Sequence, residues 1–326
     1  MRLEHQHTVP LDSYLLRDFQ PADAVLRIAR GDVRLNAPAT KDAKLYHFTT
    51  STCSQRVRLA AAEKGVSYKS EMLDFAGYQN LEPDYLAINP RGVVPTWADG
   101  TFVVFDSPTI IRFIDAYYEG PPLRPKAEGA RADVERMIDL GDRFPNRYLT
   151  YFQQYEIAGH TLDGLDIKAW VEGLCARAAA LSTDDERLAP IYRAKIADWE
   201  KFFAELQDAA LMERIVAHAE GMLDTLEERL QRSEFLCGDA YTLADTCWTT
   251  SLLRLESYHG RGVRRWFGEG ERPYLEAYAE RLKRRPSFRE AYVAYFEKLA
   301  DLIDENTPPA LRETFLRVSN MYAAYA

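Results

Sequence analysis

The stretch 44–73 constrains the fold most strongly, because its pattern changes from strand to helix and back to strand. KLYHF (44–48) is short, alternating and aromatic, which is typical of a strand with one buried face. SQRVRLAAAEKG (54–65) carries apolar residues on one helical face and ends in a glycine, a common helix stop. VSYKSEML (66–73) alternates again. A strand–helix–strand unit within one sheet predicts a right-handed parallel crossover.

A second group of patterns predicts an antiparallel hairpin followed by a helix. TFVVF (101–105) is a predicted strand that follows the tight-turn sequence ADG (98–100), and another strand leads into that turn. SPTIIRFIDAYY (107–118) is amphipathic, with Ser107 as the predicted N-cap and Pro108 at the first helical position. This part of the chain therefore reads βαβ and then ββα.

Glycine and proline residues mark a domain boundary at YEGPPLRPKAEG (118–129). No convincing strand pattern follows, so residues 123–326 are predicted to form an all-helical domain, and residues 43–122 to form the α/β domain before it. Residues 1–42 hold six basic and six acidic residues and fit neither a transit peptide nor a secretory signal. They are predicted to be an extension, to which the sequence assigns no function.

Three helical patterns stand out in the second domain. Residues 197–231 form one long helical pattern or two joined ones, and RPYLEAYAERLKRRPSF (272–288) adds a helix stopped by Pro286. In TLADTCWTTSLLRLE, Thr242 and Asp245 have the spacing of a capping box, with aspartate in place of the usual glutamate. We therefore predict a structural role for this pair.

Charge and cysteine usage argue against several classes of function. The net charge is −9 and no basic stripe is interleaved with aromatic residues, which argues against a nucleic-acid partner. No stretch approaches the roughly 18–20 apolar residues of a membrane span. The four cysteines are Cys53, Cys175, Cys237 and Cys247. Their spacing is not that of metal ligands, so we expect no metal site, and we expect a reduced, cytoplasmic protein.

Three motifs resemble those of the glutathione S-transferases: NPRGVVPTW (89–97), DSP (106–108) and FLCGDAYTLAD (235–245). The resemblance implies the cytosolic glutathione S-transferase fold, with an α/β thioredoxin-like N-terminal domain and an all-α C-terminal domain. It also implies glutathione as co-substrate, a hydrophobic aromatic small molecule as second substrate, and a homodimer.

The same motifs imply a glutathione site. In the family, the proline of the first motif is cis and the residue before it offers backbone groups to glutathione, which implies these roles for Pro95 and Val94. The second motif has an acidic residue and a serine that open a helix, and the serine and the backbone N–H there hold the γ-glutamyl carboxylate. This implies that role for Ser107 and a place in the glutathione site for Asp106.

The segment STCSQRVR (51–58) resembles the zeta-class element of maleylacetoacetate isomerases and bacterial tetrachlorohydroquinone reductive dehalogenases. Glutathione reacts as a thiolate, and a hydroxyl donor at the start of a helix favours that anion. By the resemblance, Ser51 has the position of this activating donor. Thr52 and Ser54 are nearby competitors for the role.

Cys53 lies at the same helix entrance. In the dehalogenases a cysteine at this position attacks the thioether sulfur, frees the reduced hydroquinone and leaves a mixed disulfide that a second glutathione resolves. The isomerases keep a cysteine here without needing it as nucleophile, so Cys53 is either reactive or a small buried residue. Arg56 and Arg58 cannot share a helix face, and we expect one to reach an acidic substrate group and the other to be solvated.

The second substrate is expected to bind against helices of the second domain. The aromatic segment RYLTYFQQY (147–155) offers Tyr148, Tyr151 and Phe152 as a wall for it. Core packing is the alternative role of these three side chains.

Four functions follow from these resemblances. The first is a glutathione-dependent transferase that dehalogenates an aromatic substrate or cleaves a thioether or ether, with Ser51 activating and Cys53 able to form a mixed disulfide. The second is cis–trans isomerisation of a maleylacetoacetate type. The third is β-aryl ether cleavage, as in the bacterial lignin β-etherases, which needs no cysteine. The fourth is a non-catalytic binding protein, suggested by similarity to the ganglioside-induced differentiation-associated proteins.

Overall fold

The computed structural model describes most of the chain after the predicted extension 1–42, which lies outside the described residues. These are residues 43–99, 102–157, 161–162, 165–257 and 265–301, with Tyr322 and Tyr325. The described residues fall into two compact units, of which the first holds residues 43–122 and 171–199 and the second holds the rest. The domain boundaries at 43, 123 and 326 stay a prediction.

The first unit contains a four-stranded sheet in the order β2–β1–β3–β4. Its strands are β1 (Ala43–His47), β2 (Lys69–Met72), β3 (Thr96–Asp99) and β4 (Phe102–Phe105). β1 is parallel to β2 and antiparallel to β3, and β3 is antiparallel to β4. The predicted parallel crossover and hairpin are therefore confirmed, as is the α/β and helical fold class. The second strand is shorter than its pattern predicted, because only four residues pair with β1.

The first helix, α1 (Thr52–Lys64), begins two residues earlier than the apolar pattern predicted. Ser51 is its N-cap, and the Ser51 Oγ accepts a hydrogen bond from the Ser54 backbone N at 3.2 Å. At the other end, Gly65 has φ of +71°, a left-handed conformation that glycine adopts without a Cβ clash. Local capping chemistry thus sets both ends of the helix.

The helix after the hairpin, α3 (Ser107–Tyr117), has Asp106 as its N-cap. The prediction of Ser107 as N-cap is wrong, and Pro108 takes the second helical position. The physical reason is the Asp106 carboxylate, which accepts hydrogen bonds from the Thr109 backbone N at 3.3 Å and from the Thr109 Oγ1 at 2.9 Å. A short helix α2 (Pro83–Leu86) lies between β2 and β3.

The remaining elements are mainly helical. They are α4 (Glu128–Arg143), α5 (Asn146–Ile157), α6 (Ile167–Asp184), α7 (Ala189–Leu206), α8 (Ala209–Leu230), α9 (Leu243–Glu256), α10 (Pro273–Lys283), α11 (Pro286–Phe288) and α12 (Ala294–Asp301). The expectation of no strand is wrong at β5 (Thr161–Leu162) and β6 (Leu165–Asp166), which pair antiparallel. Two-residue strands are too short to show an alternating pattern.

The long pattern 197–231 is two helices, since Asp208 caps α8 by accepting from the Leu211 backbone N at 3.0 Å. The pattern 272–288 also divides. Its main helix ends at Lys283, ahead of Pro286, and Pro286 begins the following short turn.

The predicted capping box at the start of α9 is confirmed and forms a buried hub in the second unit. The carboxylate of Asp245, which is wholly buried, accepts hydrogen bonds from the Thr242 backbone N at 2.7 Å and the Leu236 backbone N at 3.0 Å. It also accepts from the Tyr278 hydroxyl at 2.6 Å. One side chain therefore joins α9, the loop before it and α10.

We expect Asp245→Ala to lower the free energy of unfolding by about 3–4 kcal/mol, because several buried donors lose their acceptor together. Equilibrium urea unfolding measures this difference. Asp239→Ala is the matched control, since Asp239 is exposed, and should change the value by less than about 0.5 kcal/mol. If the two substitutions lowered the free energy of unfolding equally, the role of Asp245 as a buried hub would be contradicted.

Candidate functional site

The sheet register brings the predicted site segments to one end of the sheet. Tyr46 near the end of β1 pairs with Thr96 at the start of β3, and Thr96 pairs with Phe105 at the end of β4. The chain therefore leaves β1, enters β3 and leaves β4 at the same end of the sheet. The segments that meet there carry the predicted site residues and are 51–53, 94–95 and 106–107.

The first of these segments opens helix α1. Ser51, Thr52 and Cys53 are all half-buried at its first turn. The backbone N–H groups there carry the partial positive charge of the helix N-terminus, which favours an anion. Ser54 is instead fully buried, and its Oγ accepts from the Phe48 backbone N at 3.3 Å. The hydroxyl of Ser54 therefore stabilises the strand–helix turn.

Two arginines further along α1 are both buried, so the prediction that one is solvated is wrong. Residues 54–61 of the helix are buried on every face, which leaves no solvated side. Arg58 donates to the Thr49 carbonyl at 2.9 Å and bonds the His47 Nδ1 at 3.2 Å. Arg56 donates through Nη1 to the Ser107 Oγ at 3.1 Å. Arg56 therefore links the start of α3 to helix α1.

The start of α3 combines a positive backbone end with a buried cation. Ser107 is buried, and the guanidinium of Arg56 lies against its hydroxyl. Asp106 has φ of +70°, an uncommon conformation for a residue with a Cβ, which costs about 1–3 kcal/mol. Such a conformation persists where the surroundings enforce it, here through the carboxylate bonds to Thr109. The resulting environment suits a carboxylate ligand.

The Val94–Pro95 peptide bond is cis, which confirms the expected conformation. The contact of Val94 with glutathione stays a prediction. The carbonyl of Val93, just before it, accepts from the Tyr85 hydroxyl at 2.6 Å and from the Asn89 Nδ2 at 2.9 Å. Because a peptide unit is planar and trans, fixing the Val93 carbonyl also fixes the direction of the Val94 N–H. The backbone group predicted to meet glutathione is therefore oriented by its neighbours.

The residues that support this loop were not predicted. Asn80 Nδ2 donates to the Gly92 carbonyl at 2.9 Å, and Asn89 also donates to the Thr96 Oγ1 at 2.9 Å. Tyr85 bonds the same Thr96 hydroxyl at 3.0 Å. Asn89 stands inside the NP motif, which was the available signal. Asn80 lies in the short helical turn Gln79–Leu81 and Tyr85 on helix α2, and no sequence pattern predicted a role for either.

The aromatic residues predicted to form a substrate wall lie on α5, in the second unit. The rings of Tyr148 and Tyr151 pack edge-on against the buried ring of Phe202, with centroids 5.2 and 5.3 Å apart. Tyr148 also donates to Glu205 at 2.7 Å, and Phe152 is half-buried. Their role toward a second substrate stays a prediction.

Within the described residues, no helix is both long and apolar enough to cross a membrane. In the same ranges, no three His, Cys, Asp or Glu side chains gather in a way that could hold a metal ion.

Two family models match the chain. Residues 50–116 match the glutathione S-transferase N-terminal domain, and residues 209–281 match the glutathione S-transferase C-terminal domain. A tetrachloro-p-hydroquinone reductive dehalogenase of Sphingobium chlorophenolicum is 31% identical over 259 residues, which cover 77% of this chain and 96% of that protein. The chain therefore belongs to the glutathione S-transferase family, whose co-substrate is glutathione.

A further relative and a solved structure are also similar to this chain. The ganglioside-induced differentiation-associated protein 1-like 1 of Homo sapiens is 26% identical over 284 residues, covering 75% of this chain and 72% of that protein. The solved structure of the β-etherase LigF from Sphingobium sp. strain SYK-6 has a TM-score of 0.60 at 19% identity, covering 79% of this chain and 99% of that one. The likeness to the LigF structure supports the fold.

Tyr85 supports the cis-proline loop (residues 91–95) through its buried hydroxyl. This role predicts that the protein becomes less stable at alkaline pH. Burial raises the pKa of Tyr85 to about 12. Its pKa in the unfolded chain is about 10, so its stabilising contribution is present below pH 10 and is lost as the pH rises toward 12. Tyr85→Phe should lower the free energy of unfolding by about 1–2 kcal/mol at neutral pH. This difference should shrink as the pH rises above 10.

Urea unfolding from pH 8 to 11 measures the difference between wild type and Tyr85→Phe. Tyr274→Phe is the control, because Tyr274 is 49% exposed, and at neutral pH this substitution should change the free energy of unfolding by less than about 0.5 kcal/mol. A pH-independent gap for Tyr85→Phe would show that the buried hydroxyl does not contribute as described.

Proposed function

We propose that this protein is a glutathione-dependent enzyme that acts on an aromatic substrate by reductive dehalogenation or by cleavage of a thioether or ether. The observation that carries the proposal is the shared first turn of α1, where Ser51 and Cys53 are both half-buried at the sheet end that also carries the cis-proline loop. A hydroxyl and a thiol at one helix N-terminus can serve two successive steps of sulfur chemistry. The dehalogenase relative supports this choice of substrate class.

The proposed glutathione site uses the three segments at this end of the sheet. The backbone of Val94 before cis-Pro95 binds the cysteinyl part of glutathione. The γ-glutamyl carboxylate binds at the start of α3, where Asp106 and Ser107 present the helix N-terminus and Arg56 adds a positive charge. The Arg56 contact supports this assignment, because an isolated helix end would supply only a partial charge.

Ser51 is the proposed activator of the glutathione thiol. Its oxygen accepts from the Ser54 N–H, so its own O–H proton can be donated elsewhere. Ser54, one of the two competitors for the role of activator, is buried, and its Oγ accepts a hydrogen bond from the Phe48 backbone N. A donor to the thiolate stabilises the anion and lowers the pKa of the bound thiol. Free glutathione, with a thiol pKa near 8.5, is mostly protonated at pH 7.

We expect Ser51→Gly to lower the rate with glutathione at pH 7 by at least about tenfold, because the bound thiol loses its hydrogen-bond donor. The pH–rate profile should move its inflection up to about 8.5, the value of an ordinary thiol. Glycine at an N-cap costs only a few tenths of a kcal/mol, so the helix should remain.

Ser51→Thr is the matched variant, since it keeps a hydroxyl at the same position. It should retain a low inflection in the pH–rate profile. If the glycine variant kept the wild-type inflection, another group would be the activator.

Cys53 has the proposed role of nucleophile in the reductive step. Its sulfur forms an S–S bond with the sulfur of a glutathionyl-aromatic conjugate, while the ring carbon–sulfur bond breaks and the ring carbon takes a proton. A second glutathione thiolate then displaces Cys53, which leaves as thiolate. The sum converts two glutathiones to glutathione disulfide and replaces one ring halide by hydrogen, with halide and a proton released.

We expect Cys53→Ser to stall after the first step and to accumulate the glutathionyl-aromatic conjugate. The assay combines glutathione with a chlorinated hydroquinone and follows conjugate, reduced ring and halide by chromatography coupled to mass spectrometry. Halide release should continue for the first turnover, while reduced product falls by at least about 100-fold. Cys175→Ser is the control, because it makes the same change in α6, outside this helix entrance.

The same assay separates the competing reactions. Unchanged yield of reduced product from Cys53→Ser would remove the covalent role. Turnover of a β-aryl ether by the variant at the wild-type rate would favour ether cleavage, and turnover of maleylacetone would favour an isomerase. No turnover of any of these substrates by the wild type would favour the non-catalytic alternative.

A further inference from the structure

Four consecutive helices, α4 to α7, lie between the two segments that match the family models, and the last two of them bear on the proposed site. The matched segments are residues 50–116 and 209–281, and α6 and α7 fall between them. Residues 171–199, most of this helical pair, group with the sheet in the first unit. This part of the chain therefore belongs spatially with the proposed glutathione site, although it is far from that site in the sequence.

The helical pair contacts the segment that precedes cis-Pro95. Tyr192, which is wholly buried, donates to the Leu81 carbonyl at 2.9 Å. Arg177 donates twice to the Glu82 carboxylate, at 2.6 and 3.1 Å. Apolar residues add a buried stripe on α6 at helical spacing, through Val171, Leu174, Ala178 and Leu181.

Lys195 makes the contacts nearest the proposed site. Its Nζ donates to the Arg91 carbonyl at 2.8 Å and to the Gly92 carbonyl at 3.1 Å. Lys195 lies one helical turn after Tyr192, so both reach the same segment from one face of α7. A lysine ammonium carries three donors, and hydrogen bonds from a charged donor are about twice as strong as neutral ones.

With Lys195, every carbonyl from Arg91 to Val93 accepts a side-chain hydrogen bond. The Gly92 carbonyl also accepts from Asn80, and the Val93 carbonyl accepts from Tyr85. Each fixed carbonyl sets the direction of the following N–H, because the peptide unit is rigid. The series ends at the N–H of Val94.

The position of Gly92 shows how closely the loop is held. Its φ is +56°, and a Cβ there would lie 3.0 Å from the Asn80 carbonyl oxygen and 3.5 Å from the Lys195 Cε. The backbone therefore approaches the lysine stem directly, with little space between them.

We propose that Lys195 is a positioning residue for glutathione: its ammonium fixes the Arg91 and Gly92 carbonyls and thereby holds the two peptide units that lead into the backbone that Val94 presents to the tripeptide. This inference rests on the proposed glutathione site. The family's matched segments contain the loop, whereas the lysine that holds it comes from a helix outside them.

Lys195→Met tests this role, because methionine keeps most of the stem and removes the charged donor. The dissociation constant for glutathione, measured by isothermal titration calorimetry, should rise about 5- to 10-fold. Amide hydrogen exchange of residues 92–94 in the protein without ligand should become several-fold faster. Lys195→Arg should restore much of both properties, since it keeps a cationic donor.

Lys201→Met is the matched control on the same helix, because Lys201 is 77% exposed in its ion pair with Glu205. It should leave affinity and exchange unchanged. Wild-type affinity in Lys195→Met, or a loss of affinity without faster exchange of the loop, would overturn the positioning role. A wild-type protein that does not bind millimolar glutathione would overturn the proposed function itself, which is a different result from either of these.

Discussion

The position of β1 between a parallel and an antiparallel neighbour is the constraint on which the site depends. Because of this position, the chain leaves β1, enters β3 and leaves β4 at one end of the sheet. The three site segments, which are distant in sequence, therefore lie next to one another there. A one-residue slip of β3 would turn the wholly buried ring of Trp97 to the opposite face of the sheet. Burial of that ring therefore keeps the site segments aligned.

Much of the first unit could be predicted, because its signals are local. The crossover, the hairpin and the cis peptide each depend on a short run of neighbouring residues. The starts of α1 and α3 were harder to place. A side-chain oxygen decides where each first turn begins, and Ser51 and Asp106 cap these helices earlier than the apolar patterns indicate.

Contacts between distant segments were beyond the reach of pattern analysis. Arg56 meets Ser107, and Lys195 meets Arg91, only after the sheet and helices have assembled. The burial of Arg58 was not predicted for the same reason. The spacing of Arg56 and Arg58 shows that they lie on different faces of the helix, but it does not show which segments cover those faces. The family motifs identified the groups expected to touch glutathione, and the structure adds the residues that hold those groups in place.

The N-cap role of Ser51 has an evolutionary consequence. One oxygen atom closes the first turn of α1 and, in the proposed mechanism, the same hydroxyl addresses the reacting sulfur. Selection for a well-formed helix and selection for thiol chemistry therefore act on a single side chain. Residues that serve only as caps, such as asparagine or aspartate, would satisfy the first demand without supplying a hydroxyl. A lineage that abandoned catalysis could accept them, so the residue at this position records which of the two demands has been kept.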